Sequence, residues 1–417
     1  PDTPFLNTST TTADALARPA INSNRLMLIL GFLTAFGPFS VDMYLSGFPA
    51  IAASLGTDVG QVQLTLAAYF FGVSLGQILY GPAIDRYGRR RPMLIGIAVY
   101  VCASAALVFA PNIETFIGLR FIQALGACGG MVVARAMIRD LFGPREAAAA
   151  MSTMMAVVSL GPIVAPVLGS VMLNWTTWHA IFVFLTGYGL TLFLVAERKI
   201  PETLPPSKRH HDNPLQVLRN FGALLSRRRF IVPALTGAFG FAGVFAYVTA
   251  SPFVMMTLYG LSQQQFGWLF GTMACGLIIA TQINRMLLKR MMPQQILTCT
   301  VGINVTLGVV LVIITGTESL PLFAIVLAVW IATMPLIGAN TVAIAMAESG
   351  AYAGTASSIV GVLQFGVASL LSAMIGLLHD GTARPMTTMM LVCGLTAVCL
   401  LVYGKGSTRP TSREATA

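Results

Sequence analysis

Charged residues are scarce in this sequence, and acidic residues are the scarcest of them. Only 10% of the 417 residues are charged, whereas a soluble domain averages about a quarter. Asp and Glu number 15 against 25 Lys and Arg, and 56% of the residues are hydrophobic. This composition excludes an ordinary water-soluble domain and indicates a chain that lies mostly in lipid.

Several chemical signatures are also missing. No CxxC pair occurs, so neither a metal site nor a disulfide framework is predicted. No phosphate-binding loop occurs, so ATP does not drive the protein directly. A polar catalytic constellation and a sizeable soluble domain are absent, which argues against a membrane enzyme or receptor. All six cysteines lie within apolar stretches, at Cys102, Cys128, Cys275, Cys299, Cys393 and Cys399.

Long apolar stretches are what the chain has instead. Twelve of them approach or exceed the 20 or so residues that a helix needs to cross a bilayer. We therefore predict an all-α membrane protein with twelve transmembrane helices in two six-helix bundles. The stretches are 26–51, 61–83, 92–110, 114–138, 147–172, 178–196, 229–256, 265–286, 294–315, 320–346, 354–378 and 385–404.

The distribution of positive charge predicts the orientation, because Lys and Arg accumulate on the cytoplasmic side of such proteins. If both termini are cytoplasmic, 22 of the 25 Lys and Arg fall in cytoplasmic segments. Arg384 alone is periplasmic, and Arg120 and Arg135 lie within a span. We expect a multi-pass protein of the bacterial inner membrane, whose basic residues are topological anchors and not a nucleic-acid patch.

A polar interruption divides the chain into two halves, as in many transporters. Both halves repeat an Asx-Arg pair, a basic cluster and a proline, at 85–92 and again at 284–293. The adjacent His210 and His211 of the interruption are interpreted as solvated loop. The segment 1–25 lacks the apolar core of a signal peptide and is predicted to be a flexible cytoplasmic tail. The rest of the predicted organisation is two bundles at 26–196 and 229–404, a cytoplasmic linker at 197–228 and a cytoplasmic tail at 405–417.

The segment 81–91 carries the most specific motif. A plain basic loop would need only its arginines, whereas this one embeds glycines and an aspartate at fixed spacing. It resembles the loop signature G-x-x-x-D-R-x-G-R-R of the major facilitator superfamily. The resemblance implies a gating role for Gly81, Asp85, Arg86, Gly88, Arg89 and Arg90.

That resemblance also implies contacts for Asp85 across the molecule. In the family, an aspartate at this position meets the opposite bundle when the cytoplasmic side is closed. Here the partner is expected at the start of the eleventh helix, around 354–357, since a helix N-terminus attracts a carboxylate. Arg139 and Asp140, at the end of the fourth helix, are expected to complete a charge network there.

Further motifs narrow the resemblance. Arg120, Gln123 and Gly126 match the fourth-helix signature R-x-x-Q-x-x-G, and the fifth helix partly matches the antiporter signature G-x-x-x-G-P-x-x-G-G. That match has Gly161 and Pro162 in place but Val157 and Ser170 at two glycine positions. Glycine and proline are also common in membrane helices for packing or kinking alone.

The segments 39–45, 202–206 and 353–358 together resemble the bicyclomycin-resistance (Bcr/CflA) subfamily over essentially the whole chain. This implies proton-coupled export of drugs such as bicyclomycin, phenicols or sulfonamides, driven by the proton gradient without a cofactor or metal, by a monomer. Ser46 departs from the subfamily, which usually has proline there and hence a different kink beside Asp42.

Charges at bilayer depth are costly and survive mostly where they function or pair. Asp42 is the only acidic residue deep in a span, and Arg120 lies at a depth that differs by roughly 5 Å. We predict that Asp42 carries the proton and Arg120 modulates it; a purely structural ion pair is the alternative. Arg135 lies about 60° from Arg120 around the helix, and either faces the cavity or snorkels to the interface.

The rest of the binding site is expected to be largely apolar, since Met and aromatic side chains adapt to varied ligands. The leading hypothesis is drug:proton antiport; the alternatives are export of a metabolite such as an amino acid or sugar, and proton-coupled uptake. Besides Asp42 and Arg135, the candidate substrate-binding residues are Phe39, Tyr44, Gln123, Met154, Met155, Pro162, Phe245, Tyr247, Trp268 and Gln364.

Overall fold

The computed structural model describes residues 23–209, 214–349 and 353–405, and the regular elements within these ranges are all helical. Within these ranges twelve helices are long and apolar enough to cross a membrane, which confirms the predicted fold class. Most of both predicted tails, and His210 and His211, lie outside the described residues.

The helices are numbered here by span. The first, α1, comprises Ser23–Thr34, Phe36–Asp42 and Phe48–Ser54, and the tenth, α10, comprises Leu320–Ala332 and Met334–Ala347. A shorter linker helix, Pro214–Leu225, lies between the halves in sequence. The others are α2 Val59–Tyr87, α3 Arg90–Leu107, α4 Ile113–Leu141, α5 Pro144–Trp175, α6 His179–Lys199, α7 Arg228–Pro252, α8 Gln263–Leu287, α9 Pro293–Ile313, α11 Ala353–Leu377 and α12 Arg384–Lys405.

The first helix is broken immediately after Asp42, where the sequence predicted a continuous span. A 3₁₀ turn, Leu45–Gly47, replaces the regular helix, and the Gly47 N–H donates to the carbonyl of Tyr44 at 2.9 Å. Pro49 follows at the start of the next segment and has no N–H to donate to the preceding turn. The interruption therefore lies beside Asp42, the one buried carboxylate among the described residues.

A second interruption divides α10 at Thr333, where the sequence again predicted one continuous span. Pro335 opens the following segment and removes one backbone hydrogen bond. The Thr333 hydroxyl donates to the carbonyl of Trp330 at 2.6 Å and accepts from Asn304 of α9 at 2.8 Å. Side chains thus satisfy polar groups near the break, as burial in lipid requires.

Small residues allow close packing within the amino-terminal half. A Cβ on Gly72 of α2 would lie 2.6 Å from the carbonyl oxygen of Phe121, and one on Gly126 of α4 would lie 2.7 Å from that of Gly96 in α3. Helices in lipid gain stability from such van der Waals contact. In the other half, α7 packs on α10, α11 and α12.

The two halves meet along two seams. On the first, α2 and α11 run antiparallel: Ser74 donates to the carbonyl of Val362 at 3.0 Å, and Ser369 donates to that of Ala67 at 2.8 Å. On the second, Gly267 of α8 lies against Ser170 of α5. We call the end of the molecule that holds the α2–α3, α4–α5, α6–α7, α8–α9 and α10–α11 links the basic face.

Candidate functional site

Arg120 is the centre of a buried cluster in the amino-terminal half. Its side chain is fully buried, and its guanidinium carbon lies 4.2 Å from the ring centroid of Tyr44 and 4.5 Å from that of Tyr69. Its Nη1 donates to Oε1 of Gln123 at 2.5 Å. Two aromatic faces and one amide therefore hold the cation.

Hydroxyl groups extend this cluster to four helices. The Gln123 amide donates to the Ser104 hydroxyl of α3 at 2.8 Å, and the Tyr44 hydroxyl of α1 bonds that of Thr65 in α2 at 2.9 Å. Ser40 and Tyr100 form a further hydroxyl pair at 2.8 Å. The cluster joins α1, α2, α3 and α4 through polar contacts that lipid cannot replace.

Among the described residues Arg120 and Asp42 do not form an ion pair, which was the alternative that the sequence left open. In the described residues no carboxylate lies within ion-pair distance of Arg120, whose Nε and Nη2 atoms have no hydrogen-bond partner. Tyr44, two residues after Asp42, lies against Arg120 through its ring instead.

Asp42 lies close to the other half of the molecule. Its side chain is buried, and the Tyr247 hydroxyl of α7 lies within electrostatic range of its carboxyl group. The turn Leu45–Gly47 that follows it contacts both α7 and α8. No side chain of the described part of the chain bonds the Asp42 carboxyl group, so this acid lies near the junction between the halves without a hydrogen-bond or ion-pair partner.

The glycines of the fifth-helix motif support α1 at this junction. A Cβ on Gly161 would lie 2.5 Å from Cβ of Pro38, and one on Gly169 would collide with the carbonyl oxygen of Met43. Only glycine lets α5 approach the broken part of α1 so closely. These positions therefore fix the backbone on both sides of Asp42.

The aromatic residues that the sequence predicted to bind substrate lie partly between the two halves and partly within the amino-terminal half. Phe245 lies between Phe70 of α2 and Phe365 of α11, with ring centroids 4.5 and 5.7 Å away, and so joins the halves. Phe39 packs instead on Tyr188 of α6 at 5.3 Å, within the amino-terminal half.

Tyr247 belongs to the Asp42 environment, where its hydroxyl donates to Sδ of Met273 at 3.3 Å. The remaining apolar candidates differ in burial. Met154 is fully buried and accepts a hydrogen bond from Thr34 at 3.6 Å. Met155 and Trp268 are 42% and 58% exposed, and Trp268 points away from Phe270, which stacks on Tyr247. Gln364 and Pro162 are half-buried.

Arg135 lies between the core of α4 and the basic face. The side chain is half-buried, and its Nε has no hydrogen-bond partner among the described residues. The neighbouring charge on its own helix is Arg139, about one turn further along α4. This leaves an unpaired cation on the same helix as Arg120, nearer the basic face.

A cluster of charged residues lies at the basic face of the amino-terminal half. Arg89 donates to Asp85 at 2.6 Å and to Asp140 at 2.8 Å, and Thr203 also donates to Asp140, at 3.1 Å. Burial lowers the pKa of Arg89, but the hydrogen bonds and charges of Asp140 and Asp85 outweigh it and raise the pKa above its ordinary value. The guanidinium thus stays charged and ties α2 to α4, and Thr203 joins the linker to them through Asp140.

Glu202 is a member of this cluster that the sequence interpretation missed as a site residue. Its carboxylate accepts from the backbone N–H groups of Arg89 at 2.8 Å and Arg90 at 3.2 Å, at the start of α3. Gly88 has φ of 87°, and a Cβ there would collide with this carboxylate. The glycine of the loop motif is therefore needed for the linker to dock.

The expected contact between Asp85 and the start of α11 is not found among the described residues. Asp85 bonds Arg89 on its own side, and its side chain is about half exposed. Gly81 is the motif residue that lies near α11, with Ser358 Oγ 3.8 Å from a Cβ built on it. Arg86 and Arg139 are exposed, whereas Arg90 donates to the carbonyls of Glu197 and Ile200 at the end of α6.

Tyr69 was also missed, although it is one of the two aromatic faces on Arg120. A tyrosine in an apolar span is typical of packing, so its type alone gives no signal. Only its position opposite Arg120 across the α2–α4 contact identifies it, and that requires the tertiary structure.

Twelve membrane-length helices, two packed halves and a buried acid between them define a polytopic membrane transporter. The family model described as Major Facilitator Superfamily matches residues 30–373. The chain belongs to the Major Facilitator Superfamily.

Individual relatives agree with this membership. An uncharacterized MFS-type transporter of Bacillus subtilis is 35% identical over 88% of this chain and 92% of its own. A bicyclomycin resistance protein homolog of Haemophilus influenzae is 32% identical over 89% and 94%. The fold is similar to that of a bacterial homolog of the human lysosomal transporter Spinster, in an inward-facing and occupied conformation, with a TM-score of 0.71, 16% identity and coverage of 94% and 98%.

Proposed function

We propose that this transporter is a proton-coupled antiporter that exports small amphiphilic drugs. The observation that carries the proposal is the buried Asp42, whose carboxyl group faces the junction between the halves without a bonding partner in the described structure. The similarity to a bicyclomycin resistance protein homolog supports drugs as the substrate class. We further propose that the monomer is sufficient, because both seams form within one chain.

The basic face is proposed to be cytoplasmic, in the bacterial inner membrane. It holds the charge cluster of Arg89, the basic first turns of α3 and α7, and the basic last turn of α8. Positive charge remains on the cytoplasmic side during membrane insertion. Asp42 then lies on the route between this face and the periplasm.

In the proposed cycle, a proton and a drug use Asp42 alternately. A carboxylate in a low-dielectric site resists ionisation, and a nearby cation favours it. When the site opens to the periplasm, Asp42 takes a proton and the drug leaves; when it opens to the cytoplasm, the proton leaves and drug binds. Inward movement of each proton gains about 2.3 kcal/mol per 100 mV.

Rewinding or tilting of the broken α1 segment would change the separation between Asp42 and Arg120. Tyr44 and Tyr69 hold Arg120 apart from Asp42 in this conformation. If α1 turned so that Asp42 approached the free Nε and Nη2 atoms, the cation would favour the ionised acid and release its proton.

Everted membrane vesicles test the proposal most directly. Uptake of bicyclomycin, a phenicol, a sulfonamide, amino acids and sugars is measured with the proton gradient present and then collapsed by an uncoupler. We expect drug uptake that the uncoupler abolishes. Drug uptake that persists without the gradient would contradict proton coupling, and uptake of an amino acid or sugar alone would favour metabolite export.

A further inference from the structure

A cavity lies away from Asp42, at the basic face of the carboxyl-terminal half. Its volume is about 420 Å³, and the ends of four helices form it: α7, α9, α10 and α12. No residue of the Asp42 environment or the Arg120 cluster lines this cavity. It is therefore separate from the proposed transport site.

The polar lining of the cavity combines both signs of charge. Arg228 and Arg229 come from the first turn of α7, Glu348 follows the end of α10, and Gln294 lies in the first turn of α9. Two guanidinium groups match a phosphate, which they bind through several N–H donors. A carboxylate on the same wall matches an ammonium group.

Arg228 is held in place before any ligand binds. Its guanidinium carbon lies 3.7 Å from the ring centroid of Tyr403, and its Nη2 donates to the Tyr403 carbonyl at 2.7 Å. A guanidinium group has five N–H donors, so others remain for a ligand. Arg229 is exposed and has no bonding partner within the described ranges.

The deeper wall of the cavity is apolar, where Val232, Leu297 and Leu401 line it. Val402 beside it is 65% exposed. A charged rim above an apolar wall, at the membrane-interface end of a helix bundle, has the polarity of a phospholipid: polar headgroup, then hydrocarbon.

We propose that this cavity binds an aminophospholipid of the cytoplasmic leaflet. Arg228 and Arg229 bind its phosphate, Glu348 binds its headgroup ammonium, and an acyl chain lies along the apolar wall. The leaflet follows from the orientation proposed above, but the binding itself does not depend on transport.

Native mass spectrometry of the delipidated, purified protein tests this site with three lipids of equal chain length. Phosphatidylethanolamine offers a phosphate and an ammonium that donates hydrogen bonds, phosphatidylcholine offers a quaternary ammonium, and phosphatidylglycerol offers the phosphate alone. We expect phosphatidylethanolamine to bind most tightly. Equal or tighter binding of phosphatidylglycerol would overturn the role of Glu348.

Two sets of variants test recognition of the phosphate and recognition of the ammonium group separately. The double variant Arg228→Gln with Arg229→Gln should weaken the binding of all three lipids by about tenfold or more, because that is the scale of losing a charged hydrogen bond. Glu348→Gln should remove only the preference for phosphatidylethanolamine over phosphatidylglycerol. Arg285→Gln with Arg290→Gln, two exposed arginines of the same face, is the matched control and should bind like the parent.

Two further measurements complete the test. Leu401→Trp fills the apolar wall and keeps every charge, so it should also lose lipid. Inorganic phosphate should not displace the lipid; displacement would show a site for free phosphate instead. Binding by the Arg228/Arg229 variant equal to that of the parent would overturn the proposal, provided that both proteins elute as single species.

Discussion

Asp42 and Arg120 show how two buried charges are kept apart within one half of a transporter. The cation is compensated by two aromatic rings and Gln123, whereas the acid faces Tyr247 across the junction. Because no ion pair joins them, the Asp42 carboxyl group is available to a proton or a ligand, and two N–H groups of Arg120 remain without a partner among the described residues.

Replacing Asp42 by asparagine should separate ligand binding from proton coupling. The amide is close to the carboxyl group in size but has no proton to exchange, so we expect drug binding to persist while drug-evoked proton release and active efflux are lost. Proton release is measured in weakly buffered detergent solution on adding drug. Asp380→Asn, in an exposed loop, is the control, and release from Asp42→Asn equal to that of the parent would place the carrier elsewhere.

Tyr69 should stabilise Arg120 through its ring and not through its hydroxyl. Tyr69→Phe keeps the ring and should leave thermal stability in detergent nearly unchanged. Tyr69→Leu removes it and should cost about 1–2 kcal/mol, the scale of a desolvated cation–π contact. Equal melting temperatures for the two variants would contradict this assignment.

The sequence identified both charged residues by their depth but not their directions. Depth follows from counting residues along a span, and membrane-buried charges are rare enough to stand out. The direction of Asp42 depends on how α1 turns at its break, which is set by contacts with α5. For the same reason the sequence predicted Tyr44 as a substrate-binding residue, whereas its side chain is fully buried and packs against Arg120.

At the scale of the helices, α5 acts as the support of the broken first helix. Gly161 and Gly169 lie two turns apart and face Pro38 and the Met43 carbonyl. On the same helix, Ser170 faces α8. One helix therefore contacts both the site and the other half.

Gly169→Ala should disturb this support. The added methyl group would collide with the Met43 carbonyl, and α5 would have to move away from the Asp42 segment. We expect destabilisation of about 1–3 kcal/mol together with lower efflux, measured by thermal unfolding and vesicle transport. Gly187→Ala, with open space around its Cα, is the control. A Gly169→Ala protein as active and stable as that control would show that the close contact is dispensable.

The twelve spans were predictable because lipid requires long apolar helices, but the breaks in α1 and α10 were not. Proline alone does not mark them, since Pro82, Pro162 and Pro166 lie inside continuous helices. A break also needs side chains that bond the polar groups beside it, such as the Thr333 hydroxyl, which donates to the Trp330 carbonyl and accepts from Asn304.

At the scale of the whole molecule, the α2–α11 seam determines how the halves can move. It extends from Gly60 beside Gly376 at one end to Gly81 near Ser358 at the other. Two serine-to-carbonyl hydrogen bonds are its described polar links. Small residues are spread over the whole sequence, so the choice of these two helices as partners could not be predicted from composition.

Cross-linking this seam at the basic face should block transport reversibly. In a background with the six cysteines replaced by serine, Gly81→Cys and Ser358→Cys would place two thiols within disulfide reach, given the 3.8 Å separation there. We expect oxidation to stop efflux and a reductant to restore it. Gly308→Cys with Leu391→Cys, 3.6 Å apart within one half, should oxidise without loss of efflux. Full transport by the oxidised 81–358 protein would mean that this end of the seam stays closed throughout the cycle.

The lengths of the helices carry a consequence for the bilayer itself. α3 has 18 residues and α5 has 32, which correspond to about 27 and 48 Å at 1.5 Å per residue. A hydrocarbon core is about 30 Å thick, so α5 must tilt or project while α3 barely crosses. Ile95 of α3 is 63% exposed, and Phe109 just beyond the end of α3 is 81% exposed, so lipid meets the shortest helix directly. We therefore expect the membrane to be thinnest around α3, and a thicker bilayer to strain that edge first.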